Sequence, residues 1–273
     1  MKTFALALGA GGARGLAHIA VIEALDEMGL KPVAIAGTSI GAMVGAGYAA
    51  GMRGKDIRRH VIGLAHDRGE IMRRLIAARA GSLTDVFAGA FGQAAQIDAE
   101  KFCAQFLPDA LPQDFSGLEI PLTVVTTDLH RREEAALSAG PLHPALAASI
   151  AIPGLMRPVA IHDRIFIDGG TTNPLPFDRL NGVADVIVAI DVLSLPPSGR
   201  ADLPGAWASV IATLNIMGRA IVAAKLALKP PDIVIRPRVG IFRTLDFYQA
   251  TAILRAANAV KAEIKERLGS LLA

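Results

Sequence analysis

Short apolar runs alternate with longer stretches of helical periodicity along this chain, and that alternation leaves few architectures open. Phe4–Leu8 is an apolar run cut off by a glycine-rich turn at 9–15. Residues 16–28 then read as a helix, with Gly29 as its stop signal. A second short strand is expected at 33–36, a turn at 37–41, and a small-residue helix over 42–50 that ends at Gly51. Further strands are expected at 122–127, 164–167, Val186–Ile190 and Ile233–Ile235. Helices are expected at 144–150, Ala206–Leu228 and 244–268. Residues 53–107 read as mostly helical, with breaks at Gly81, Gly89 and Gly92, and 194–204 as a Pro/Ser/Gly loop. Such alternation predicts an α/β fold with a mostly parallel central sheet and helices on both faces. Neither a repeat nor a linker divides the chain. One domain over 1–273 is expected, with the motifs inside 4–195 and a helical extension over 196–273 packed on it.

Composition narrows the class. The chain has 273 residues, 52% of them apolar, and a mean hydropathy of +0.42. This excludes disorder and points either to a deeply buried sheet or to apolar surface that meets lipid. The net charge is +3 and the isoelectric point about 9.2, without a long basic block. The doublets Arg58-Arg59, Arg73-Arg74 and Arg131-Arg132 read as solvated faces, and the scarcity of nearby aromatics argues against a nucleic-acid partner. The one cysteine, Cys103, reads as a small core residue; with no intrachain disulfide available, the cytosol is the expected compartment. Lys2 followed by 4–8 has the look of a secretory leader. The glycines at 9, 11 and 12 and Arg14 interrupt it, so a buried strand is the better reading. The most apolar run starts at Ala206 and is broken by Arg219, which reads as too interrupted to span a bilayer.

Three stretches carry chemistry. Gly37-Thr38-Ser39-Ile40-Gly41 fits Gly-x-Ser-x-Gly, in which a sharp strand-to-helix turn lifts a serine hydroxyl above a sheet. Gly9-Ala10-Gly11-Gly12-Ala13-Arg14-Gly15 presents bare backbone N–H groups suited to a phosphate or an oxyanion. Asp168-Gly169-Gly170 puts a carboxylate at a strand's C-terminal end. Alone, the pentapeptide is weak in a Gly/Ala-rich chain, the glycine spacing fits a plain tight turn, and Asp-Gly is an ordinary turn.

Their order along the chain resembles the patatin-like phospholipase family. The match rests on 6–15 with Arg14, Gly37–Gly41, Ser149-Ile150-Ala151-Ile152-Pro153, and 168–174 with Pro176. It is weakest over 53–115 and beyond about 195. The resemblance implies a three-layer fold and a serine esterase acting on (lyso)phospholipids or related acyl esters through an acyl-serine, with no metal or cofactor. It also implies a Ser–Asp dyad: Ser39 as nucleophile, Asp168 as base, and the N–H groups of Gly11 and Gly12 as the oxyanion hole. Arg14, Gly15, Gly37, Gly41, Gly169 and Gly170 support these loops, and Ser149 and Pro153 shape the pocket wall. Ala10 departs from the commonest glycine triplet, which costs a donor position if that residue needs a positive φ.

Four rivals remain at this point, one of them a catalytically silent member acting as an interaction protein, against which the intact Ser39 and Asp168 argue. A His-containing triad would need one of six histidines, of which His18 reads as packed in the first helix, His60, His66 and His130 as exposed, and His143 and His162 as near turns. A dinucleotide-binding oxidoreductase would need an acid at the end of the second strand, where 36–39 reads Ala-Gly-Thr-Ser. Acyl transfer to another alcohol would use the same dyad. Expected partners are a lipid or acyl-ester substrate; peripheral contact with a membrane, through part of 206–228 with Trp207, and self-association stay open.

Overall fold

The computed structural model describes residues 2–66, 68–79, 96–193, 203 and 205–272, without the side chains of residues 66, 68, 70 and 207. The breaks expected at Gly81, Gly89 and Gly92, most of the 194–204 loop and the Trp207 side chain lie outside these residues. One sheet contains β1 (Phe4–Leu8), β2 (Ile35–Thr38), β3 (Leu122–Asp128), β4 (Glu133–Leu137), β5 (Val159–Ile161), β6 (Arg164–Asp168), β7 (Val186–Ile190) and β8 (Ile233–Ile235). Hydrogen bonding runs in the succession β5-β6-β3-β2-β1-β7-β8, and β4 also pairs with β3. β3, β2, β1, β7 and β8 are mutually parallel, whereas β4 and β6 run antiparallel to β3, and β5 antiparallel to β6. The expected α/β class therefore holds, with an antiparallel flank.

The registers on β3 decide where the site forms. Val125 pairs with Ala136 of β4 and Thr38 of β2; Thr126 pairs with Ala135 of β4 and Asp168 of β6. A strand has only two edges, so β2 and β6 share the edge opposite β4 and meet there end to end. The C-terminal residue of β6 thus arrives one register step beyond the C-terminal residue of β2.

Side-chain alternation makes the two faces unequal. Phe4, Leu6 and Leu8 of β1, with Ile35, Leu122 and Val124, enter a large core. That core is shared with α1 (His18–Met28), α2 (Ile40–Ala49), α5 (Ala99–Phe106), α6 (Leu142–Ile150), α8 (Ala250–Ala257) and α9 (Val260–Leu272). α3 (Gly54–His66) joins it through Ile57, with Val61, Ile62 and Ala65 packed against it, whereas α4 (Arg68–Ala77) supplies none of its residues. The other face of the sheet is mostly alanine: Ala5, Ala7, Ala36 and Ala189 pack against Leu175, Phe177, Leu180 and Val222. Val222 belongs to α7 (Ala206–Leu228), so the two layers of helices are carried by one face of large residues and one of small.

Several boundaries shift. A 3-10 turn over Gly12–Ala17 precedes α1, and the closing helix splits into α8 and α9 after a 3-10 turn at Phe247–Gln249. β4 and β5 were not expected; β4 reads Glu-Glu-Ala-Ala-Leu, too charged and short to show an apolar run. The leader-like N-terminus is instead central strand β1, buried throughout. Arg58 is not merely solvated, because it forms a part-buried bidentate pair with Glu23 at 2.5 and 2.7 Å. Cys103 is buried, and burial pushes its thiol up to about 12. The expectation that 206–228 is too interrupted to span a bilayer is corrected. Residues 208–228 are long and apolar enough by length and composition, with a mean hydropathy of 1.5, because Arg219 and Lys225 are diluted among aliphatic neighbours. Lys225 is moreover bonded to Asn173 and Asp178 on the protein side.

Candidate active site

The turn between β2 and α2 holds Ser39 at φ 56° and ψ −125°, a conformation disfavoured for any residue with a Cβ. The surroundings enforce it. Ser39 N–H donates to Ser149 Oγ at 2.8 Å, and Ser149 Oγ donates to the Val125 carbonyl at 2.7 Å. Thr38 Oγ1 donates to the Asn173 carbonyl at 2.8 Å, fixing the last residue of β2 to the loop after Asp168. Gly41 is required by close approach: a Cβ there would stand 2.2 Å from the Leu8 carbonyl oxygen. The Ser39 turn therefore sits directly against the end of β1, with the first turn of α2 beneath it.

The head-on meeting of β2 and β6 brings Ser39 and Asp168 together. Ser39 Oγ donates to Asp168 Oδ2 at 2.7 Å, and Gly170 N–H donates to Asp168 Oδ1 at 2.7 Å. Both side chains are buried. Burial raises the Asp168 carboxyl to about 6, against the partial relief given by Ser39 and Gly170. A carboxylate so placed accepts a proton more readily than one in water.

The glycine-rich loop lies across the same cleft. Gly9 N–H donates to the Ile190 carbonyl at 3.1 Å, Ala10 N–H to Pro174 at 2.8 Å and Ala13 N–H to Thr244 at 2.8 Å. Among the described residues, the N–H groups of Gly11 and Gly12 have no acceptor. Ala10 does not have positive φ, and its N–H is already engaged, so its departure from glycine removes no donor from the cleft. Gly12, at φ 57°, does need to be glycine, since a Cβ would meet the Thr244 carbonyl oxygen at 2.2 Å. His18 Nε2 donates to the Gly9 carbonyl at 2.8 Å from a fully buried position, and burial lowers this histidine to about 4. It acts as a neutral strut under the loop.

A cleft of about 70 Å³ joins these parts. Gly11, Gly12, Ser39, Asp168 and Gly170 line its polar end, and Ile152, Pro153, Leu193, Ile211 and Leu214 its apolar side. The expected site residues thus converge, and behind them Gly37 and Gly169 sit in tight contact with backbone and Gly15 against the Ile40 side chain. Ser149 is not on the wall as expected but behind the elbow, while Pro153 does line the cleft. None of the five histidines with described side chains bonds to Ser39 or Asp168. The sequence reading missed Asn173, Asn215 and Thr244. Asn215 carried a signal, as a lone amide in the apolar stretch Ile-Ala-Thr-Leu-Asn-Ile-Met.

Residues 6–180 match the profile of the patatin-like phospholipase family. The chain belongs to that family. An uncharacterised NTE family protein of Mycobacterium bovis is 40% identical over 189 residues, which cover 69% of this chain and 48% of that protein. Lysophospholipase NTE1 of Coccidioides immitis is 29% identical over 290 residues, covering 98% of this chain and 18% of that protein. The chain thus spans about half or less of the length of these relatives. Among solved structures, VipD from Legionella pneumophila has the same fold, with a TM-score of 0.52 at 15% identity, over 97% of this chain and 66% of that one. Membership in the patatin-like phospholipase family accounts for the order of the glycine-rich loop, the Ser39 turn and Asp168 along the chain. It also removes the dinucleotide-binding reading of the glycine-rich loop.

Proposed function

We propose that this patatin-like protein is a carboxylic ester hydrolase that releases fatty acid from (lyso)phospholipids or related acyl esters through an acyl-Ser39 intermediate. The observation that carries the reading is the 2.7 Å hydrogen bond from Ser39 Oγ to a buried carboxylate, beside two N–H groups with no acceptor among the described residues. Ser39 Oγ attacks the ester carbon while its proton passes to Asp168 Oδ2. The carbonyl π electrons move to oxygen, and that oxyanion accepts hydrogen bonds from Gly11 and Gly12 N–H. Collapse of the tetrahedral species breaks the ester C–O bond, and Asp168 returns the proton to the leaving alcohol. Water then attacks the acyl-serine, giving its proton to Asp168; collapse frees the fatty acid, and Asp168 reprotonates Ser39.

The raised Asp168 pKa suits a base that must be ionised near neutrality and hold a proton transiently. The apolar side of the cleft, from Ile152 to Leu214, receives the first carbons of the acyl chain next to the ester. Elsewhere on α7, Val210, Ile216 and Met217 are exposed, as are Leu245, Phe247 and Tyr248 further along the chain. α7 carries Arg219 and Lys225 and no acid. We place this surface against a lipid bilayer, from which a single acyl chain would be drawn into the cleft.

A panel of p-nitrophenyl esters, phospholipids and lysophospholipids, run with and without glycerol, tests the reading. It expects free fatty acid as the product, and none from Ser39→Ala. Glycerol esters in place of fatty acid would make the protein an acyltransferase. Turnover by a folded Ser39→Ala variant would refute the nucleophile. For the surface, Ser39→Ala should co-sediment with vesicles of phosphatidylcholine and phosphatidylglycerol, and Ile216→Glu/Met217→Glu should weaken that binding. Equal binding by both proteins would refute the surface.

A further inference from the structure

Arg14 is buried at 3% exposure, yet it is a permanent cation within the oxyanion loop. Its Nε donates to the Gly11 carbonyl at 3.3 Å. One terminal nitrogen donates to Asn215 Oδ1 on α7 and to Thr244 Oγ1 at 3.2 Å. Asn215 Nδ2 donates in turn to Thr244 Oγ1 at 3.1 Å and to the Ile211 carbonyl at 2.6 Å. The three side chains close a triangle. Thr244 grips the loop a second time through its main chain, whose carbonyl accepts from Ala13 N–H at 2.8 Å and rests against Gly12.

Peptide planarity gives the triangle a chemical consequence. In a trans peptide the carbonyl of one residue and the N–H of the next point in opposite directions. Arg14 holds the Gly11 carbonyl on its own side, so the N–H of Gly12 is turned to the other side, and Gly12 lines the cleft. Burial lowers the Arg14 pKa, with Asp191 acting against that, so the cation depends on the acceptors that surround it. Without Asn215 and Thr244, the guanidinium would seek other acceptors and release the Gly11–Gly12 peptide to rotate.

We infer that Asn215 and Thr244, both beyond the family-matched segment 6–180, are positioning residues that aim the Gly12 N–H at the oxyanion through Arg14. The inference rests on the reading of Gly11 and Gly12 as oxyanion donors. It makes the catalytic loop depend on α7 and on the strap around residue 244, which lie some 200 residues further along the chain than Arg14 (sequence separations of 201 and 230).

The decisive comparison is Thr244→Val, which keeps the shape and loses the hydroxyl, against Thr244→Ser, which keeps the hydroxyl. Asn215→Leu is the companion variant. Each is assayed for kcat and KM on p-nitrophenyl butyrate, for thermal midpoint, and for inhibition by an alkyl trifluoromethyl ketone, which forms a tetrahedral oxyanion on a serine. Thr244→Val and Asn215→Leu are expected to lower kcat about ten- to hundred-fold, with KM within about three-fold, by misaiming one donor. The inhibition constant should rise by the factor by which kcat/KM falls, and Thr244→Ser should stay within about three-fold of the parent. Unchanged kcat/KM in Thr244→Val would overturn the inference. So would a fall in kcat/KM with an unchanged inhibition constant, the pattern of a merely structural role. If Asn215→Leu does not fold, the Thr244 pair decides. Failure of the underlying reading looks different: the parent protein would then show no Ser39-dependent hydrolysis at all.

Discussion

Ser39 Oγ and Asp168 Oδ2 lie 2.7 Å apart although 129 residues separate them, because β2 and β6 end face to face on one edge of β3. Thr38 pairs with Val125 and Asp168 with Thr126, so consecutive residues of one strand set the spacing of the two reacting groups. Adjacent register positions bring the proposed base to the proposed nucleophile without a third residue; Ser149 and Gly170 hold the two from behind.

Asp168→Asn should lower kcat/KM by about 10²–10⁴-fold, the usual worth of a general base. No His→Ala variant should approach that loss in a folded protein. Parallel assays of Asp168→Asn and the six histidine variants check this, and one histidine as damaging as Asp168 would point to a triad.

The pH profile follows from the base. Burial raises Asp168 from its ordinary 3.8 to about 6, and only the carboxylate accepts the serine proton. kcat/KM should therefore be flat above about pH 7 and fall tenfold per pH unit well below 6. A profile whose acid limb sits near pH 4 would show that the carboxyl is not desolvated in solution.

The same burial costs stability. Asp168 binds its proton more tightly folded than unfolded, so its contribution is favourable below the unfolded value near 3.8 and is lost as pH rises through about 6. At neutral pH the cost is roughly 3 kcal/mol, from 1.36 kcal/mol per pKa unit. Asp168→Asn should then be more stable than the parent at pH 7.5, by up to about that amount, and the gain should vanish by about pH 4. His18 has the opposite sign: a histidine lowered to about 4 stabilises above the unfolded value near 6.5 and loses that contribution as pH falls towards 4. Urea midpoints of the parent, Asp168→Asn and His18→Gln across pH 4–8 separate the two.

Much of this was legible in the sequence, for physical reasons. Buried parallel strands such as Phe4–Leu8 and Val186–Ile190 are apolar on both faces and stand out, and the glycines at 12 and 41 mark places where backbone meets backbone. β4 was not legible because its edge position tolerates glutamates. The end-to-end meeting of β2 and β6 was hidden as well, because strand direction across a long gap is not written in local periodicity. Contacts such as Arg14 with Thr244, or Thr38 with Asn173, depend on tertiary register alone.

Ser149 shows the difference between a motif and its role. Removing its hydroxyl leaves the Ser39 N–H without an acceptor and the Val125 carbonyl without a donor, both buried. Ser149→Ala should cost about 1–3 kcal/mol in stability and lower kcat more than it raises KM, because the strained elbow relaxes. Chemical denaturation with steady-state kinetics checks both; an unchanged kcat would confine Ser149 to a packing role.

The central claim is that Ser39, activated by Asp168, forms a covalent acyl-enzyme. Intact-mass measurement after incubation with a long-chain alkyl fluorophosphonate, followed by peptide mapping, tests it most directly. The account predicts one adduct per chain, on Ser39, absent in Ser39→Ala and formed at least 100-fold more slowly in Asp168→Asn, in line with the loss of a general base. No adduct on the folded parent, an adduct on another residue, or unchanged labelling of Asp168→Asn would contradict it.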